Sequence, residues 1–150
     1  MRYGHSSRRG GTRGQAIVET AIASLAFIGV IIGLIEVGRG VWNYNMLAHA
    51  TREGARYAIV HGTHSTDPSG PGSDHFTAPD QDEMVIETVG SFGRGLDPDH
   101  LAVTSEWPDG DNERGSKVEV TAHYEFHSIF SFLGISPVTL TSSSIMTIQH

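Results

Sequence analysis

Gly14-Gln15-Ala16-Ile17-Val18-Glu19, with the apolar run that follows it as far as Val37, decides how the rest of this chain is read. No residue from Thr20 to Ile35 is charged, and Ala16 to Val37 is apolar apart from Glu19, Thr20, Ser24 and Glu36. Roughly 20 apolar residues in a helix cross a bilayer. A membrane-spanning helix is therefore expected, because the core helix of a soluble domain rarely keeps so long an uncharged run. A cleaved secretory signal has an apolar part of about 7–15 residues and a small-residue cut site. Here the run is longer and passes into Glu36-Val37-Gly38-Arg39 without such a site. Glu19 is an ionisable group at the head of a membrane segment, a costly placement that points to function.

Charge divides at the same place. Residues 1–14 carry Arg2, Arg8, Arg9 and Arg13 and no acid, whereas the net charge of the whole chain is −7. The part after Gly14 is thus strongly acidic. A basic flank reads as the cytoplasmic side of the helix and places the C-terminal part outside. Residues 1–14, rich in Gly and Ser without apolar periodicity, read as a disordered leader. The acidic part lacks the clustered Lys and Arg that phosphates require, so no nucleic-acid partner is expected. With no cysteine, disulfide and thiol chemistry are excluded.

Beyond the leader, residues 15–61 read as one long helix, with 15–38 as its transmembrane part. Unbroken, it would be roughly 70 Å long at about 1.5 Å per residue. Gly29 and Gly33 form a G-x-x-x-G, a spacing that lets helices approach closely in lipid. Trp42 and Tyr44 suit the membrane–water interface. Tyr44, Leu47, Ala48, Ala55, Ala58 and Ile59 then keep a helical spacing. Gly38, Gly40 and Gly54 weaken that helix or mark bends or close packing. Arg52 and Arg56 share one helical face, and Glu53 lies three residues before Arg56. The arginines are either a solvated face or contacts to acids of the C-terminal domain or of a neighbouring subunit.

Residues 62–79, rich in Gly, Pro, Ser, Thr and Asp, read as a flexible loop. Residues 80–150 read as an α+β domain outside the membrane. Asp80, Asp82 and Glu83 put acids at the start of a short helix, where the dipole favours them. Val85, Val89, Phe92 and Leu96 give it one apolar face. Leu101 to Trp107 reads as a strand. Lys117 to His127 is the clearest strand, with Val118, Val120, Ala122, Tyr124 and Phe126 on one face. Val138 to Gln149 is the last strand. The expected fold is a long N-terminal helix followed by a short helix and an antiparallel sheet of about three strands, one face covered by helix.

No residue set reads as catalytic. The nine histidines include His61, His64 and His75 near Asp67 and Asp74, but none shows the tight paired spacing of a zinc site. His123 and His127 share a strand face about 13 Å apart, too far to hold one ion together. Asp109-Gly110-Asp111-Asn112 reads as a turn, since the later positions of a calcium loop are absent. No nucleophile elbow, dinucleotide loop or phosphate loop is present. The expectation is a protein without enzymatic activity, with no metal, cofactor or small-molecule substrate.

Arg13-Gly14-Gln15-Ala16-Ile17-Val18-Glu19, Ile35-Glu36-Val37-Gly38-Arg39 and Arg52-Glu53-Gly54-Ala55-Arg56-Tyr57-Ala58 together resemble TadE-like pseudopilins of the tight-adherence (Flp) pilus system. More broadly, a glycine, four residues and a glutamate after a basic leader resemble type IV pilin-like precursors. The resemblance implies cutting by a prepilin peptidase between Gly14 and Gln15, with Glu19 a determinant of processing and docking. It also implies pilins and pseudopilins of the same system as partners, residence in the cytoplasmic membrane and a possible place in a surface pilus. It is strongest over 13–62, recognisable over 117–149 and absent from 63–116. Thr20 stands where an aromatic commonly follows the glutamate, and no proline interrupts the apolar helix, which implies a straighter one. The alternative is an unprocessed single-pass membrane protein whose β-rich outer domain binds a surface partner.

Overall fold

Apolar continuity before Val37 and small-residue periodicity after it make one helix, α1, Thr12–Val60. It belongs to a computed structural model that describes residues 12–74, 76–78 and 81–149. The leader up to Gly11, His75, Pro79, Asp80 and His150 lie outside the described residues, as does the expectation of an acid at Asp80; of the leader expected to be disordered, residues 12–14 are described and form the first turn of α1, which starts three residues before the expected Gln15. Gly38, Gly40 and Gly54 do not interrupt α1.

The chain divides into two compact units, one ending at Gly38 and the other spanning Arg39–His150. In the second unit, α1 is followed by β1 (Phe76–Ala78), β2 (Gln81–Asp82), α2 (Glu83–Phe92), β3 (Leu101–Glu106), β4 (Lys117–Phe126) and β5 (Val138–Thr147). Single 3-10 turns cover Pro98–His100 and Ile129–Leu133. The fold is α+β. Its main sheet is antiparallel in the order β3-β4-β5, and β1 and β2 form a separate two-stranded ribbon. Leu101 pairs with Tyr124, and Lys117 through Phe126 pair with Thr147 through Val138.

Alternation along β4 decides which face is covered. Val118, Val120, Ala122, Tyr124 and Phe126 are all buried, while Lys117, His123 and Glu125 are exposed. The inner face joins Val85 and Val89 of α2, Leu47, Ala50, Ala55 and Ala58 of α1, and Val103, Trp107 and Ile148 in one core. Gly54 faces this core: a Cβ there would overlap Cγ2 of Val89 and come within 3.6 Å of Val120. The glycine is the close-packing device, and its absent side chain lets the helix backbone approach α2. Phe92, expected on the same face as Val85 and Val89, is 45 % exposed. It is the last residue of α2, and its ring lies beside that of His49.

Asp82 ties the unit together. Fully buried, it caps α2 by accepting from the N–H groups of Met84 (3.1 Å) and Val85 (3.2 Å) at Oδ1. Its Oδ2 accepts from the N–H of Gly70 at 2.7 Å and from the Ser73 hydroxyl at 3.4 Å. Its own N–H donates to the Ser105 hydroxyl at 3.1 Å. The preceding stretch, read as loop from composition, is pinned from both sides. Asn112 Nδ2 donates to the Ser69 carbonyl at 2.8 Å, and the Thr63 hydroxyl donates to Asn112 Oδ1 at 2.6 Å. Gly70, at φ +88°, packs against the Trp107 ring with no room for a Cβ.

Candidate functional site

The residues singled out from the sequence lie along α1 and fall in both units. In the first unit, Gly14, Gln15 and Glu19 are exposed on the opening turns of the helix. The Gly14–Gln15 bond is already helical. Thr20, the residue after the glutamate, donates its hydroxyl to the Ala16 carbonyl at 2.9 Å. This bond satisfies a polar group that would otherwise face an apolar surrounding, a common way for threonine to sit in an apolar helix.

From Gly14 to Ile31 every residue is exposed, including Leu25 at 71 %. α1 is the one helix among the described residues that is long and apolar enough to cross a membrane, and none of its most apolar window is buried by protein. A continuous uncovered apolar surface of this kind marks a membrane or protein contact. Gly29 is exposed and Gly33 half-buried, and a Cβ at either would meet nothing within 4 Å. Their face is open to a second helix.

The second unit holds the other predicted residues. Leu47, Ala50, Thr51, Gly54, Ala55 and Ala58 take the inward face of α1. Helical spacing then turns Arg52 and Arg56 outward, and both are exposed, with Glu53 half-buried. Neighbouring Tyr57 stacks on His61 with ring centroids 3.9 Å apart, and His61 Nδ1 lies 2.8 Å from the Tyr57 carbonyl. Burial, and then the charges of Asp67, Asp82 and Glu87, raise the Tyr57 hydroxyl above its ordinary pKa.

Sequence reasoning missed an apolar notch lined by Trp42, Asn45, Met46, His49 and Phe92. Trp42 is 64 % exposed, and the His49 and Phe92 rings are tilted at 6.0 Å. The spacing of Trp42, Met46 and His49 along α1 could have shown the shared face, but nothing local brings Phe92 to it.

The pattern running through both units of α1 is a basic edge, a glycine, an acid at the head of an uncovered apolar run, and an inward stripe of small residues flanked by outward arginines. Residues 14–56 match the TadE-like protein family. The TadE-like segment starts at Gly14 and ends at Arg56, so it contains Gln15, Glu19, Gly29, Gly33, Arg52 and Glu53 as well. No curated protein and no solved structure matches the chain. The TadE-like match and the apolar helix together fit a membrane protein associated with the tight-adherence pilus.

Proposed function

We propose that the chain is a membrane-anchored pseudopilin, or minor pilin, that serves assembly of a tight-adherence pilus through helix and domain contacts, without catalysis. The observation that carries this reading is the TadE-like match, which begins at Gly14 and includes Glu19. A prepilin peptidase cuts between Gly14 and Gln15, on the cytoplasmic side of the membrane. Because that bond is helical in the uncut chain, the first turn of α1 must open to reach the peptidase.

Cutting creates an amine at Gln15 with a reference pKa of about 7.7–8.0, mostly charged at neutral pH. Glu19 lies four residues on, about one helical turn away. Either charge alone is costly at the lipid edge, and each neutralises the other, within one chain or between neighbours. Glu19 thereby guides docking of the subunit among other pilins. The open Gly29–Gly33 face and the outward Arg52 and Arg56 extend the contact along the same helix.

Intact mass and N-terminal sequencing of the membrane-extracted protein test the reading. A start at Gln15 supports it. A start at Met1 in cells with an active prepilin peptidase overturns it. For Glu19, normal co-assembly of Glu19→Ala with the partner pilins would rule out the docking role.

A further inference from the structure

The outer face of the sheet carries what β4 turns away from the core. Leu101 pairs with Tyr124, so His100, the last residue of the turn before β3, falls beside Glu125. His127 lies two residues further on the same side of the chain. One ligand atom from each of His100, Glu125 and His127 lies within 4.8 Å of the other two. The imidazoles of His100 and His127 are tilted at 42° with centroids 4.3 Å apart. His100 is half-buried, and the other two are exposed.

The orientation of His127 matters. Its Nδ1 sits 3.1 Å from the backbone carbonyl of Glu125. A carbonyl can only accept, so the neutral ring carries its proton on Nδ1 and keeps the Nε2 lone pair. Metal-binding histidines are fixed in the same way, with the second nitrogen donating to a carbonyl or carboxylate. His123, on the same face, pairs across the sheet instead, with its Nδ1 2.9 Å from the Thr141 hydroxyl.

We propose that His100, Glu125 and His127 bind one Zn²⁺ on the outer face of the sheet. Two imidazoles and one carboxylate are a known donor set for zinc, whereas magnesium and calcium prefer oxygen alone. Zinc bonds of about 2.0–2.2 Å place tetrahedral donors roughly 3.4 Å apart. The observed spread closes to that by rotation of the two exposed side chains, while β4 stays held by its neighbours on both edges. Three protein ligands leave a fourth position for water or for a donor from another molecule. The bound ion fixes the Pro98–His100 turn against the end of β4. The site is independent of the pseudopilin reading, because it uses no residue of the TadE-like segment.

The test is a Zn²⁺ titration of the full-length protein, without a histidine tag, in detergent micelles, in competition with a zinc-responsive fluorescent chelator. One ion should bind per chain. His100→Ala, Glu125→Ala and His127→Ala should each weaken binding at least about tenfold, the cost of disturbing even the outer shell of a metal site. His123→Ala should bind as the parent does. Unchanged circular dichroism would show that the variants fold, and a zinc-dependent rise in Tm, lost in the three variants, would give a second readout. No competition with the chelator, or affinities within about twofold of the parent in all three variants against that tenfold scale, overturns the site.

Discussion

The stretch of α1 up to Gly38 and the stretch from Arg39 onward share a backbone and have opposite surfaces. The first presents large apolar side chains with nothing over them, Leu25 and Phe27 among them. The second buries small ones, with Ala50, Ala55 and Ala58 fully covered. The difference teaches what each part is solvated by. A helix surrounded by lipid gains from bulk all round. A helix laid on protein gains from close approach, so beyond Leu47 its inner stripe shrinks to Ala, Thr and Gly, and the remaining bulk comes from Val85, Val89, Val118 and Val120 on the other side. The charged residues follow the same logic: they are absent from Thr20 to Ile35, they return at Glu36 and Arg39, and in the second stretch Arg52 and Arg56 take the outward side.

The sharpest way to break this comparison is to put the same charge into each part. Ala55→Arg buries an unpaired cation and should cost about 4 kcal/mol or more, since the effective penalty for a buried ion is several kcal/mol. Unfolding in detergent, followed by tryptophan fluorescence in a Trp42→Phe background that leaves Trp107 as the reporter, should show the second unit largely lost while the protein stays in the membrane fraction. Leu25→Arg should do the reverse. It costs roughly 2.5–3.5 kcal/mol of insertion at a helix centre and should move protein out of the membrane fraction. Equal membrane retention of the two variants would end the distinction.

Glycines sharpen it further. Gly54→Leu forces a side chain into Val89 and should destabilise the second unit by about 1–3 kcal/mol, the usual cost of overpacking. Gly29→Leu and Gly33→Leu meet no neighbour and should leave its denaturant midpoint unchanged. Their effect should appear only in helix association, read by cross-linking in membranes. A shifted midpoint for Gly33→Leu would show that its face is not open.

These two kinds of glycine also show how far the sequence could be read. The apolar run and the alternation of β4 are local patterns, and each alone is enough to specify its element. Hence the α+β architecture and the inner face from Val118 to Phe126 were legible. So was the TadE-like match over residues 14–56, because its pattern is carried by spacing along the chain. Gly54 was not: helix propensity marks it as a weakness, and only the position of Val89 makes it a requirement. Asp82 looked like one acid among several at a helix start. Its partners Gly70, Ser73 and Ser105 are set by the tertiary fold. His100 and His127 meet because β3 and β4 pair, a register that no local pattern states.

Asp82 yields the next prediction. Asp82→Ala removes a helix cap, worth about 1 kcal/mol, and leaves the buried Gly70 N–H without its acceptor, at a further cost of about 1–3 kcal/mol. The midpoint of the second unit should fall accordingly, with membrane association untouched. Asp82→Asn keeps one oxygen acceptor and should recover part of the loss. If the alanine variant were as stable as the parent, the 62–74 stretch would be held by Asn112 and by the bonds of Ser69 to the His61 carbonyl without help from Asp82.

The smallest expected effect is a pH dependence at the turn before β4. Asp111 accepts from the Ser116 hydroxyl and from the Glu113 N–H at 3.1 Å, and these bonds hold its carboxyl below the ordinary value of 3.8. A carboxyl depressed by folding stabilises the native state above its unfolded pKa, and that gain is lost as pH falls through the folded value. Asp111→Asn mimics the protonated form without the charge. The parent should therefore be slightly more stable than the variant at neutral pH, and the gap should close as the solution is acidified below the ordinary carboxylate range. The group is fully exposed, so screening keeps the gap small, and added salt should narrow it further. Denaturant midpoints of both proteins at neutral and acid pH measure it. A gap of the same size at both would mean that the amide is disfavoured by geometry and that the charge of Asp111 contributes nothing.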